Sequence, residues 1–488
     1  MTIPAELWAT GVPGLDTLLC GGLSDNALVV VVGPTGAGKT VLASQILFHV
    51  VEQGQPVLIL TAYAEGHSKL LDHLRPFAFF DEQVVSRSLT LVSLPSMIGM
   101  NVDTGAATIM KIIRESEARI VLIDGFQGLT DQINDTTALR RLLAALATQL
   151  TYFKVTMLLT ITGTAREEPT TTGLTSADVV LGLHYGLNGW QHSRRIEVVK
   201  QRGSPHLAGL HSYSISDSGI TITPRLESYT LAEAQPRPSG RVPFHLAELD
   251  HILGGGPTAG TITLLVGAPG VGKTTLGLAW SLADVTPTTT TVFLNFEEQL
   301  PEVRAKAEFL GLPLDSTLDA GTFTFLHLSP VELNPDEMAA QLFAAITPTT
   351  QRVVIDNVRV VMQALGERAN DYLAALVRNL YMAGVTTMVM VEIKPFAGFQ
   401  FDVAETPLSL LADNIVIVQQ TAAQGAVRRI LAVLKMRYSA YDSTLRELLI
   451  DERGVRVLTP PQSAIGVLDA AAEASGLTAP QPEPPTST

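Results

Sequence analysis

Apolar positions along this chain come mostly in short unbroken runs of strand length. Residues 27–32 and 261–266 are apolar and β-rich, and each runs straight into a glycine-rich loop. Helical stretches are predicted to follow at 41–51 and 275–282. Further strand-like runs lie at 57–60 and 292–294, and at 120–123 and 353–355. Strands without polar alternation suit a parallel sheet covered on both faces, because a half-exposed strand would alternate. The stretches 195–200 with 212–215, and 429–435 with 446–450, are more alternating, which predicts antiparallel hairpin strands closing each block. No run approaches the roughly 20 apolar residues that a bilayer-spanning helix needs.

The pattern is written twice. Gly33-Pro34-Thr35-Gly36-Ala37-Gly38-Lys39-Thr40 recurs as Gly267-Ala268-Pro269-Gly270-Val271-Gly272-Lys273-Thr274. The run ending in Asp124 recurs as the run ending in Asp356. Asp178 recurs as Asp413, and Lys200 with Arg202 recurs as Lys435 with Arg437. These landmarks keep their order at offsets of 232 to 235 residues, which implies a duplicated α/β domain of ordinary size. The predicted organisation is a first domain at 1–230, a proline- and glycine-containing linker at 231–242 and a second domain at 243–459. A tail at 460–488 is expected to be disordered apart from one short helix at 464–474.

Composition narrows the classes. Of 488 residues, 46% are hydrophobic and 16% charged, which suits a well-buried globular chain. The net charge of −14 argues against a diffuse nucleic-acid footprint. Cys20 is the only cysteine, so no internal disulfide can form, and a reducing cytoplasm is the expected location. The N-terminal residues lack the basic start and apolar core of a signal peptide. No membrane association is expected.

The chemistry concentrates on the two glycine loops. A G-x-x-x-x-G-K-T run between a strand and a helix is a phosphate-binding loop: the glycines let backbone N–H groups wrap a polyphosphate, and the helix N-terminus adds partial positive charge. Lys39 and Lys273 would meet the β- and γ-phosphates of ATP. Thr40 and Thr274 would offer hydroxyls to Mg²⁺, joined by Asp124 and Asp356 at the ends of apolar strands. Hydrolysis also needs a group to orient water. In the second unit the candidates are Glu297 and Glu298. In the first, Glu65 matches Glu298, whereas Ala64 stands where Glu297 would be. Lys200, Arg202, Lys435 and Arg437 are read at alternate strand positions, so each basic pair shares a face. Such a pair is either a phosphate clamp, in cis or from a neighbouring subunit, or a solvated edge strand.

Beyond these loops the sequence resembles the KaiC family of RecA-like ATPases. The resemblance rests on residues 10–23, with a weaker copy at 246–256, on the Glu297-Glu298 pair, and on the closing segment Val198-Val199-Lys200-Gln201-Arg202-Gly203-Ser204-Pro205-His206. The second copy of that segment carries Tyr438 where glycine is usual. The resemblance covers roughly residues 8–458. It implies two tandem RecA-like domains, a two-tier hexameric ring with ATP between subunits, Glu297 as general base, and the four basic residues reaching a neighbour's γ-phosphate. It also implies that loss of the first glutamate at Ala64 leaves the first unit chiefly binding ATP while the second turns over. The family's paired phosphorylation positions read Ser409 and Leu410 here, so a clock-type phosphorylation cycle is not expected. The leading expectation is a slow ATPase switch that signals to partner proteins as yet unidentified. The alternatives are an autokinase using Ser409 or Thr406, a scaffold assembled by ATP without turnover, and a recombinase-like filament, which the acidic charge disfavours.

Overall fold

The apolar runs around each glycine loop form the centre of a nine-stranded sheet, and two such sheets are present. The computed structural model describes residues 7–61, 67–94, 102–126, 136–164, 175–188, 191–228, 235–236, 238–331, 333–393, 411–423 and 426–459. By internal contacts the chain divides into Met1–Ser228 and Tyr229–Thr488.

In the first unit the strands lie in the order Gly219–Thr223, His211–Ser216, Gln191–Gln201, Val179–Asn188, Leu28–Gly33, Thr156–Thr162, Ile120–Asp124, Val57–Thr61 and Leu89–Ser93. Pairing is parallel from Val179–Asn188 through Leu28–Gly33 to Leu89–Ser93, and antiparallel at the other end. The second unit repeats this: Phe323–His327, Thr290–Asn295, Thr350–Asp356, Thr386–Glu392, Ile262–Gly267 and Asn414–Ala423 are parallel neighbours in that order. Ala426–Met436, Arg446–Asp451 and Gly454–Leu458 then add antiparallel strands.

The continuous apolar character of the loop strand has a direct cause. In Leu28–Gly33, Val29 and Val31 pack in one core with Leu42, Ile46 and Leu47 of the helix Lys39–Glu52. Leu28, Val30 and Val32 pack in another with Ile109 and Ile113 of Val102–Ser116 and Leu143 and Leu146 of Thr136–Phe153. Both faces are covered, so no position faces water, and each side chain contributes roughly 1.5–3 kcal/mol by burial.

The alternating stretches are antiparallel strands, as expected, and each lies beside the other in its sheet. Gln191–Gln201 turns back on Val179–Asn188, and His211–Ser216 forms its hairpin with Gly219–Thr223. The two stretches meet through His211 with Ile196 and Ser212 with Arg195. Strand 179–188 was hidden because its first half, 179–183, is buried beside the loop strand and reads as one more apolar run. Arg202 and Arg437 lie one residue past the strands that carry Lys200 and Lys435. The predicted tail at 460–488, and linker residues 231–234 and 237, lie outside the described residues.

Candidate active site

Each loop strand ends in a glycine that no other residue could replace without displacing the neighbouring strand. A Cβ on Gly33 would lie 2.7 Å from the Leu183 carbonyl oxygen, and one on Gly267 would lie 2.3 Å from that of Val418. The loops then turn through left-handed glycines, Gly36 and Gly38 in the first, Gly270 and Gly272 in the second. Gly38 at φ 91° and Gly272 at φ 99° cap the helices that begin at Lys39 and Lys273. The first backbone N–H groups of those helices have no intrahelical acceptor, which makes each loop a ready anion cradle.

Both lysines fold onto their own loops. Lys39 Nζ donates to the carbonyls of Gly33 and Pro34 at 2.9 Å each. Lys273 Nζ does the same to Gly267 at 3.0 Å and Ala268 at 2.9 Å. Burial pushes both ammonium groups below the usual lysine range. Asp124 opposes this at Lys39, and Glu392, Asp356 and Glu297 oppose it at Lys273. Thr40 Oγ1 donates to Asp124 at 2.9 Å, and Thr274 Oγ1 donates to Asp356 at 2.6 Å. The loop, hydroxyl and carboxylate predicted to act together are therefore together in both units. Hydroxyl and carboxylate oxygens form the hard donor set that magnesium prefers.

The surroundings of the two aspartates differ. In the first unit Thr160 Oγ1 donates to Asp124 at 2.6 Å and accepts from the Gly125 N–H at 2.8 Å. The matched position in the second unit is Met390, since Thr160 pairs with Val31 and Met390 with Leu265. There Asn295 Nδ2 approaches Asp356 at 3.5 Å instead. Burial raises the Asp356 carboxyl to about 6; the Thr274 hydrogen bond and Lys273 oppose that rise, and the nearby Glu298 and Glu297 charges add to it.

Of the two glutamates in the second unit, Glu298 is engaged: Lys306 Nζ, on the helix Leu300–Phe309, sits 2.7 Å from its Oε2. Among the described residues no hydrogen bond or ion pair holds the Glu297 carboxylate. Glu392, the last residue of Thr386–Glu392, pairs in register with Gly267 and so stands beside the loop, where the first unit has Thr162 beside Gly33. Ala64, Glu65, Thr406, Ser409 and Leu410 lie outside the described residues.

The predicted basic pairs are not brought to the loops of their own units. Lys200 Nζ donates to the Thr175 carbonyl at 3.0 Å, and Arg202 lies 3.4 Å from Asp178. Asp178 in turn accepts from the backbone N–H of Leu28, the first residue of the loop strand. Likewise Lys435 donates to the Ala412 carbonyl at 2.7 Å, Arg437 lies 3.8 Å from Asp413, and Asp413 accepts from the Ile262 N–H. A six-residue strand spans roughly 16 Å, so both basic pairs flank the end of the sheet opposite their own phosphate loop.

One residue at the first loop was missed from sequence. Arg194 Nη1 donates to the Gly36 carbonyl at 2.7 Å while its guanidinium lies 4.2 Å from the centre of the Tyr185 ring. Tyr213 adds a hydroxyl bond to the Ala37 carbonyl. No local pattern marks these residues, because they reach the loop from strands more than 140 positions away in the chain.

Two tandem RecA-like units, each with a phosphate loop facing a threonine–aspartate pair, define an ATP-binding protein of the P-loop ATPase class. A family model described as "ATPase: KaiC" matches residues 8–227 and again 242–462. The chain belongs to the KaiC ATPase family. Among curated proteins it is similar to the circadian clock oscillator protein KaiC of Parathermosynechococcus lividus, 25% identical over 463 residues, covering 92% of this chain and 84% of that protein. The circadian clock protein KaiC3 of Synechocystis sp. is 25% identical over 485 residues, covering 95% and 94%. The KaiC of Synechococcus elongatus is 24% identical over 459 residues, covering 91% and 88%. Among the described residues no helix is long and apolar enough to cross a membrane.

Proposed function

We propose that this chain is a magnesium-dependent ATPase of the ring-forming kind, in which the second unit hydrolyses ATP slowly and the first binds it chiefly to hold the assembly. The observation that carries the reading is the second site: Lys273, Thr274 and Asp356 lie together at the loop, and of the adjacent glutamates Glu298 is held by Lys306 while Glu297 remains available to orient water. Thr274 with Asp356, and Thr40 with Asp124, are the residues that would hold Mg²⁺, which when bound neutralises charge on the β- and γ-phosphates. The loop N–H groups would bind the triphosphate, and Lys39 and Lys273 would exchange their loop carbonyls for its oxygens.

The position of Lys200, Arg202, Lys435 and Arg437 supports assembly. Being far from their own loops, they serve a nucleotide only if it belongs to an adjacent subunit, which fits a homo-hexamer with ATP at its interfaces. Nucleotide state would then alter the surface offered to partner proteins in the cytoplasm. Phosphate release by the Lys273→Ala and Glu297→Gln proteins tests the enzymatic part. Both should fall about a hundredfold or more; full activity in both would reject hydrolysis by the second unit. Sizing chromatography with ATP, ADP and no nucleotide tests assembly: a single monomeric peak in all three would reject the ring.

A further inference from the structure

Asn295 ends the strand Thr290–Asn295, is 1% exposed, and pairs in register with Asp356. Its amide uses both ends. The Oδ1 accepts the backbone N–H of Glu297 at 2.8 Å and of Glu298 at 2.7 Å, and the Nδ2 faces Asp356 Oδ2 at 3.5 Å. The backbone adds a parallel tie, from the Phe296 N–H to the Asp356 carbonyl at 3.2 Å. Two N–H groups converging on one oxygen fix the turn after the strand, and so fix the direction in which both glutamates leave it. Glu298 then meets Lys306, and Glu297 lies near enough to Lys273 and Asp356 for its charge to act on both.

The first unit has a different residue at the end of the matched strand. Thr61 occupies the matched position, in register with Asp124, and among the described residues its buried hydroxyl has no hydrogen-bond partner. A threonine side chain is shorter than an asparagine amide and has one polar atom where the amide has two. The asparagine amide carries its acceptor and its donor on separate atoms and so reaches the turn and the aspartate at once.

We propose that Asn295 is a positioning residue of the second site, which ties the Glu297–Glu298 turn to Asp356 and so holds the Glu297 carboxylate in its place relative to the phosphate loop. The inference rests on the reading of Glu297 as the group that orients water. A displacement of about 1 Å in such a group can cost up to a hundredfold in rate, so the effect falls on turnover rather than on nucleotide capture.

The test uses the full-length chain with saturating Mg-ATP. Steady-state phosphate release is measured for Asn295→Ala, Asn295→Thr, Glu297→Gln and the Asn295→Thr/Glu297→Gln double variant, together with each thermal midpoint. Asn295→Thr copies the residue of the first unit and guards against misfolding of the alanine protein. The expected result is a fall in kcat of about tenfold or more in both single Asn295 variants, with KM within about twofold. The double variant should fall no further than Glu297→Gln alone, because the asparagine acts through the glutamate. A folded Asn295 variant with kcat within about twofold of wild type, whatever its thermal midpoint, overturns the inference and leaves a turn cap only. Further loss in the double variant also overturns it. Wild-type rates in Glu297→Gln would instead reject the reading of Glu297 itself, and the positioning role with it.

Discussion

The two phosphate loops are near copies in backbone and in their first contacts, yet the residues around them have diverged, and the proposed division between binding and turnover rests on that contrast. The lysine, threonine and aspartate make the same bonds in both units. The first unit then locks its aspartate with Thr160 and braces its loop with Arg194. The second surrounds its loop with Glu297, Glu298 and Glu392, and pins the turn carrying the first two with Asn295. Part of the exchange is steric. Met390 replaces the smaller Thr160, and the helix facing it has Gly277 where the first unit has Ala43; a Cβ at Gly277 would lie 2.0 Å from the Met390 methyl. Under the proposed function the braced first site holds a nucleotide, and the second, with one carboxylate unengaged, activates water.

The strongest way to break this contrast is to remove the brace from the first aspartate. Thr160→Val keeps the shape but strips Asp124 of one hydrogen bond and leaves the Gly125 N–H unpaired. The urea midpoint should fall, corresponding to roughly 1.5–3 kcal/mol for a buried bond to a charged group. An unchanged midpoint would mean that the bond is idle. A smaller effect is expected from Arg194→Ala, which loses the bond to Gly36 and the stack on Tyr185. Nucleotide affinity of the first unit should weaken by about 1 kcal/mol, or roughly fivefold, read by calorimetry in the Lys273→Ala background that silences the second loop. Equal affinity with and without Arg194 would remove it from the site. The smallest effect should come from Lys306→Met. Its pair with Glu298 is about a quarter to a third exposed on each side, so stability should change by no more than about 1 kcal/mol. Phosphate release should stay within a few fold of wild type. Loss on the scale of Glu297→Gln would show that Glu298, not Glu297, is the carboxylate to watch.

Much of this was legible in the chain. The two strand–loop–helix blocks, their parallel sheets and the trailing antiparallel strands follow from unbroken apolar runs, glycine spacing and alternation. The lysine, threonine and aspartate of each site were found because the loop ties the first two together locally and the aspartate ends a recognisable strand. Arg194, Thr160 and Asn295 were not found as site residues. Each reads locally as an ordinary strand residue, and its partner is set by which strand lies next to which. The basic pairs were recognised as candidates, but their distance from their own loops was not visible, because alternation along a strand gives a face and not an end.

The linear order of residues thus determined two duplicated phosphate cradles and the residue types that line them, because a glycine loop between strand and helix is a local structure whose chemistry travels with its spacing. Only the folded sheet decided which aspartate accepts from Thr160 and which faces Asn295, and that the basic pairs lie at the end of the sheet opposite their own phosphate loop. Those facts depend on strand order and register, which bring together side chains separated by tens to more than a hundred residues and which no local pattern encodes.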